Sequence, residues 1–212
     1  MVRSLVSLLL VLPICGEIVD RIAITVEHQV ITELQIDEEL RVTAFLNHSK
    51  ISFDLDARRA AADRLVAQLL VDREMRMSRY PTPPAEAVEQ YLSQVRQSFV
   101  TQSAYQESLH QYGITESSLR EHLANQLATM SFIEVRFRPN LDVPDSDVQA
   151  YYQREMLTWK QDHPGLPPPT FEQARPEILK ILTEEHTDQI LDTWLEEARK
   201  QVNIIYLDKA LQ

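Results

Sequence analysis

IAITVEHQVIT, residues 22–32, decides the architecture together with a distant counterpart, VNIIYL, residues 202–207. In the first stretch Ile22, Ile24 and Val26 alternate with Ala23, Thr25 and Glu27, the period-two pattern of a strand with one buried face. Val30 to Thr32 can return as its hairpin partner across Glu27-His28-Gln29, a connection without glycine in which a positive φ would be strained. In the second stretch Val202, Ile204 and Tyr206 alternate with Asn203, Ile205 and Leu207, again rich in β-branched residues. So few strands do not make a stable sheet alone. The economical arrangement pairs the two stretches with each other and packs them on helices, which brings the ends of the chain together.

Between these ends the periodicity is helical. Helices are expected over residues 35–47, 55–80, 84–101, 103–112, 145–160 and from Thr115 to about Phe137. Val88, Tyr91, Leu92, Val95 and Phe99 fall on one narrow stripe, preceded by prolines 81, 83 and 84. Gly113 breaks the chain before Thr115, the cap of a helix whose Leu119, Leu123, Leu127, Met130, Ile133 and Phe137 share one side. Residues 161–169 hold four prolines and read as a linker. Thr170 and Gln173 then form a capping box that opens the last long helix, with Pro176 near its start. In that helix Ile178, Ile181 and Leu182 face one way, and Ile190, Trp194, Leu195 and Ala198 face roughly the opposite way. Two halves packed on different parts of the protein, or a bend at 183–189, would account for this.

The composition excludes several classes. Three glycines in 212 residues serve tight-turned all-β folds poorly, and a net charge of -11 lacks the basic patch needed to neutralise phosphates, so nucleic acid is not an expected partner. The acidity either attracts cationic clients or keeps the protein soluble. Arg3, the apolar run Leu5 to Leu12 and Gly16 read as an export signal over residues 1–16, too short to span a bilayer. Its removal leaves one more net negative charge and discards the single cysteine, and with it thiol chemistry. A lipid anchor on Cys15 is a minor alternative, disfavoured by the bulky Ile14 before it.

VDRIAITVEHQVITELQID (residues 19–37), VPDSDVQAYY (143–152) and PTFEQARPEILKILTEEHTDQILDTWLEEARKQVNIIYL (169–207), in this order and with helices between, resemble the SurA family of exported folding factors over nearly all of residues 17–212. The resemblance implies a mainly α fold with a small antiparallel β element. In it the N-terminal hairpin and helices (17–160) and the C-terminal helix and strand (170–212) complete one chaperone core. The family inserts parvulin isomerase domains, but only 17 residues lie between Tyr152 and Thr170, so the catalytic domain has no room here. The family's hairpin turn usually carries Asn or Gly, where this chain has Glu27-His28-Gln29. The implied activity is ATP-independent binding of unfolded outer-membrane or secreted polypeptides in the periplasm, with no cofactor. A prolyl isomerase relative is the enzyme alternative, and an assembly subunit binding one fixed partner or a second copy of itself is the third.

Little in the residues suggests bond-making chemistry. None of the six histidines stands in a zinc-protease pattern, and no glycine-flanked serine or phosphate-cradling glycine loop occurs, so neither a catalytic nor a metal site is expected. Carboxylate pairs such as Glu38-Glu39, Glu184-Glu185 and Glu196-Glu197 point about 100° apart on a helix and read as surface charge. A chaperone instead needs apolar surface with adaptable side chains. Met75, Met77, Tyr80, Tyr91, Phe99, Tyr105 and Tyr112, on or beside the central helices, are the candidate client contacts, with core packing the competing role for each. Trp194 is expected to lock the last helix onto the core.

Overall fold

The expected hairpin forms, with strand β1 at Ile22–Val26 and β2 at Gln29–Thr32 in antiparallel register. The computed structural model describes residues 20–138, 142–163 and 165–211. The export signal expected over residues 1–16, with Arg3 and Cys15, lies outside the described residues, as does Pro164 of the linker. Val26 pairs with Gln29, so the turn is Glu27-His28, and Glu27 takes φ 52 despite its side chain. That conformation costs about 1–2 kcal/mol. It is held from two sides, since the Glu27 N–H donates to the Asn203 carbonyl at 2.9 Å and its carboxylate lies 3.5 Å from Arg73.

Strand β3, Ile204–Tyr206, pairs antiparallel with β1, giving the order β2-β1-β3. The first and last strands among the described residues are therefore neighbours. Further bonds secure the closure: Leu207 N–H donates to the Ala23 carbonyl at 2.8 Å, and Arg59 donates to the Ala210 carbonyl at 2.9 Å. Strict alternation puts Ala23 outside with Thr25, but Ala23 and Ile24 are both fully buried. A register shift between Ile22 and Ile24 is the reason, because a bulge turns two successive side chains toward the core.

Seven helices make up most of the rest of the described chain: α1 Glu33–Leu46, α2 Leu55–Ser78, α3 Ala85–Gln97, α4 Gln102–Tyr112, α5 Glu116–Arg136, α6 Asp145–Asp162 and α7 Phe171–Lys200. The molecule is thus mainly helical with one small antiparallel sheet. Local chemistry sets the boundaries. Thr32 with Gln35, Thr115 with Ser118 and Thr170 with Gln173 form reciprocal caps, and Asp54 and Thr101 accept from the first free N–H groups of α2 and α4. Gly113 at φ 65 ends α4. The linker begins later than its composition suggests, since α6 continues to Asp162.

Four apolar clusters fill this frame. Ala23, Ile24, Val26 and Ile31 of the sheet pack on Ile36 and Leu40 of α1, Ala62 and Val66 of α2, and Trp194, Leu195 and Ala198 of α7. A second cluster joins Val42 and Phe45 of α1 to Leu92, Tyr105, Leu109, Leu119 and Leu123. The third holds Val71, Met75, Phe132 and Phe137 against Trp194. The fourth lies apart along the chain: Val148 of α6 meets Ile178 and Leu182 of α7. Helix α7 runs unbroken for 30 residues, about 45 Å. Its first half packs on α6 and its second on the sheet and α2, while Ile190, expected to join the second face, is largely exposed.

Candidate functional site

Five helices leave a groove where they meet. Leu46 of α1, Val71 of α2, Tyr91 and Val95 of α3, Met130 of α5, and Leu191 and Leu195 of α7 line a space of about 660 Å³ open to solvent. Helix α3 packs on α5 and α7 packs on α2, while α2 and α5 both meet α1, and the space lies between these helices. Met130 belongs to the apolar stripe of α5 yet is 52% exposed, so part of that stripe is left uncovered in the groove.

A polar waist crosses the inner end of the groove. Glu39 is 8% exposed, a carboxylate set between α1, α2 and α5. Arg64 Nε donates to its Oε1 at 2.8 Å, the Thr43 hydroxyl donates to the same oxygen at 3.2 Å, and His122 Nδ1 lies 3.0 Å from Oε2. Burial pushes the Glu39 carboxyl up, but the hydrogen bonds and charges of His122 and Arg64 outweigh it and hold the group below its ordinary value. Glu39 is therefore not the surface carboxylate that its neighbour Glu38 suggests. It ties three helices together at the groove's floor.

Beyond the waist, α1, α2, α5 and β2 enclose a second cleft of about 300 Å³ that shares Glu39, Gln68, His122 and Asn125 with the groove. Two further hollows flank these. One of about 430 Å³ includes Tyr80, Arg76 and Arg79, and one of about 260 Å³ lies between Leu46, Tyr91 and Phe99.

The seven expected contact residues separate on this surface. Tyr91 lines the groove, and Phe99 lies in the adjoining hollow, stacked on Phe45 at 5.6 Å between ring centres. Tyr80 lines the hollow by α2, packs edge-on against Phe132 and accepts a hydrogen bond from Arg136. Tyr112 is half-buried, its hydroxyl donating to the Ser49 carbonyl at 2.9 Å. One assignment is corrected: Tyr105 is fully buried, its hydroxyl donating to Glu116 at 3.1 Å, so it offers no surface to a partner, while Met75, mostly buried in the third cluster, borders the hollow beside Tyr80. Met77 is exposed but does not line the groove.

Leu46, Val95, Met130, Leu191 and Leu195 also line the groove, beyond the contacts that the sequence suggests. Their apolar spacing was visible, but which part of each stripe stays uncovered depends on where neighbouring helices stop. Among the described residues no cluster of His, Cys, Asp and Glu is placed to hold a metal ion, and no helix is long and apolar enough to cross a membrane. No protein-family model matches the chain, and no curated protein matches it.

Proposed function

We propose that this protein is an ATP-independent chaperone of exported polypeptides, SurA-like in its order of elements, with no room for an isomerase domain between Tyr152 and Thr170. The observation that carries the reading is the uncovered groove, in which methionine, tyrosine and aliphatic side chains from five helices surround a space of about 660 Å³. Such a surface binds many apolar sequences weakly and re-packs around each of them. The buried Glu39 cluster supports the reading by keeping α1, α2 and α5 at a fixed spacing while the groove between them stays open. Export to the periplasm rests on residues 1–16.

The test is suppression of aggregation. An outer-membrane protein diluted from denaturant with stoichiometric chaperone and no nucleotide is expected to stay in solution. A double variant, Tyr91→Ser with Met130→Ser, is expected to lose most of that effect while keeping its helical circular dichroism. Unchanged aggregation with the wild-type chain would overturn the proposal.

A further inference from the structure

The cleft beyond the polar waist differs from the groove in charge. Glu38 of α1, Asp72 of α2 and Glu121 of α5 line it, and among the described residues none of the three forms an ion pair. The charge of Glu39, by contrast, is already met by Arg64 and His122. Asp72 is half-buried with Arg76 one turn along its own helix, and it also borders the hollow that holds Arg76 and Arg79. Apolar side chains of Val30, Leu65 and Leu69 line it as well. Carboxylates beside aliphatic walls suit a long cationic side chain, whose methylenes cover the apolar surface while its charged end meets the acids.

Cleft and groove lie on either side of the waist and share four wall residues, which sets the cleft next to any segment that the groove holds. We propose that the cleft is a subsite for a lysine or arginine side chain, and that the segments this protein holds are apolar stretches ending in a basic residue. This rests on the groove being a polypeptide-binding surface, and it assigns the bound segment a direction as well as a composition. The net charge of -11 adds a long-range attraction for such segments.

Fluorescence anisotropy with the full chain tests it. Three labelled peptides share one short apolar sequence and end in arginine, glutamine or glutamate. The arginine peptide is expected to bind about fivefold or more tightly than the glutamine peptide, with the glutamate peptide weakest, because several exposed carboxylate contacts add together. The preference should fade in high salt. In the variant Glu38→Gln, Asp72→Asn, Glu121→Gln the arginine and glutamine peptides should bind alike. Equal binding of all three peptides to the wild-type chain overturns the subsite and leaves the groove standing, a result that needs no variant to fold. Binding of none of them overturns both. A preference for arginine that survives in the folded triple variant moves the subsite away from this cleft and overturns the assignment.

Discussion

Glu39 is the buried member of its cluster, and removing its charge leaves the half-exposed Arg64 and the partly buried His122 without the carboxylate they share. Glu39→Gln keeps the volume but loses the charge that Arg64 and His122 satisfy, so it should lower stability by about 1–3 kcal/mol at neutral pH in urea unfolding. The sign of the pH dependence follows from the carboxyl lying below its ordinary 4.5 in the folded state. Its contribution is complete above the unfolded value and is lost as pH falls through the folded one. The gap between wild type and Glu39→Gln should therefore narrow on acidification below about 4.5. Asp72 behaves oppositely: burial raises its carboxyl, so its ionised form is disfavoured in the folded state. Asp72→Asn should raise the thermal midpoint at pH 7, with the gain vanishing below the ordinary 3.8 of an aspartate. Phe132, fully buried and edge-on to Tyr80 and Phe137, gives the largest expected loss, about 3–5 kcal/mol for Phe132→Ala. Neither Glu39 nor Phe132 was legible beforehand. Glu39 looks like its neighbour Glu38, and Phe132 sits off the main stripe of α5, whose buried side shifts as the helix passes from the second cluster to the third.

Elements were far more legible than their contacts, because local chemistry marks their ends. Thr115, Thr170 with Gln173, and Gly113 each act within one turn, so no tertiary knowledge is needed to read them, whereas the helix expected to run to 101 ends at Gln97 and Thr101 caps α4 instead. The bulge that buries Ala23 and the continuation of α6 to Asp162 were not legible, since both depend on partners elsewhere in the chain. Strand β1 is paired on both sides, so Thr25→Pro removes a donor from the middle of the sheet and should prevent folding, measured as loss of the cooperative thermal transition. Helix α7 divides its energy between two cores. Leu182→Ala loosens only the one shared with α6, so hydrogen exchange should accelerate over residues 145–185 while the amides of β1 keep their protection.

At the scale of the whole molecule, the sheet order β2-β1-β3 joins the chain's beginning to its end, and the helices between are carried on that closure as the walls of a groove. The alternation of residues 22–26 and 202–207 made this arrangement readable. The groove itself was not readable residue by residue: of the seven aromatic and methionine residues expected as contacts, Tyr91 alone lines the main space. Exposure of a side chain is settled by the ends of its neighbours, which short-range pattern does not encode. Photo-crosslinking tests the account most directly. A photoreactive phenylalanine analogue at position 91 or 130, inside the groove, is compared with one at the exposed position 77 outside it, each offered an unfolded outer-membrane protein. Strong adducts at 91 and 130 with little at 77 are the predicted result. Adducts of equal yield at all three positions, or none at 91 and 130, would contradict it.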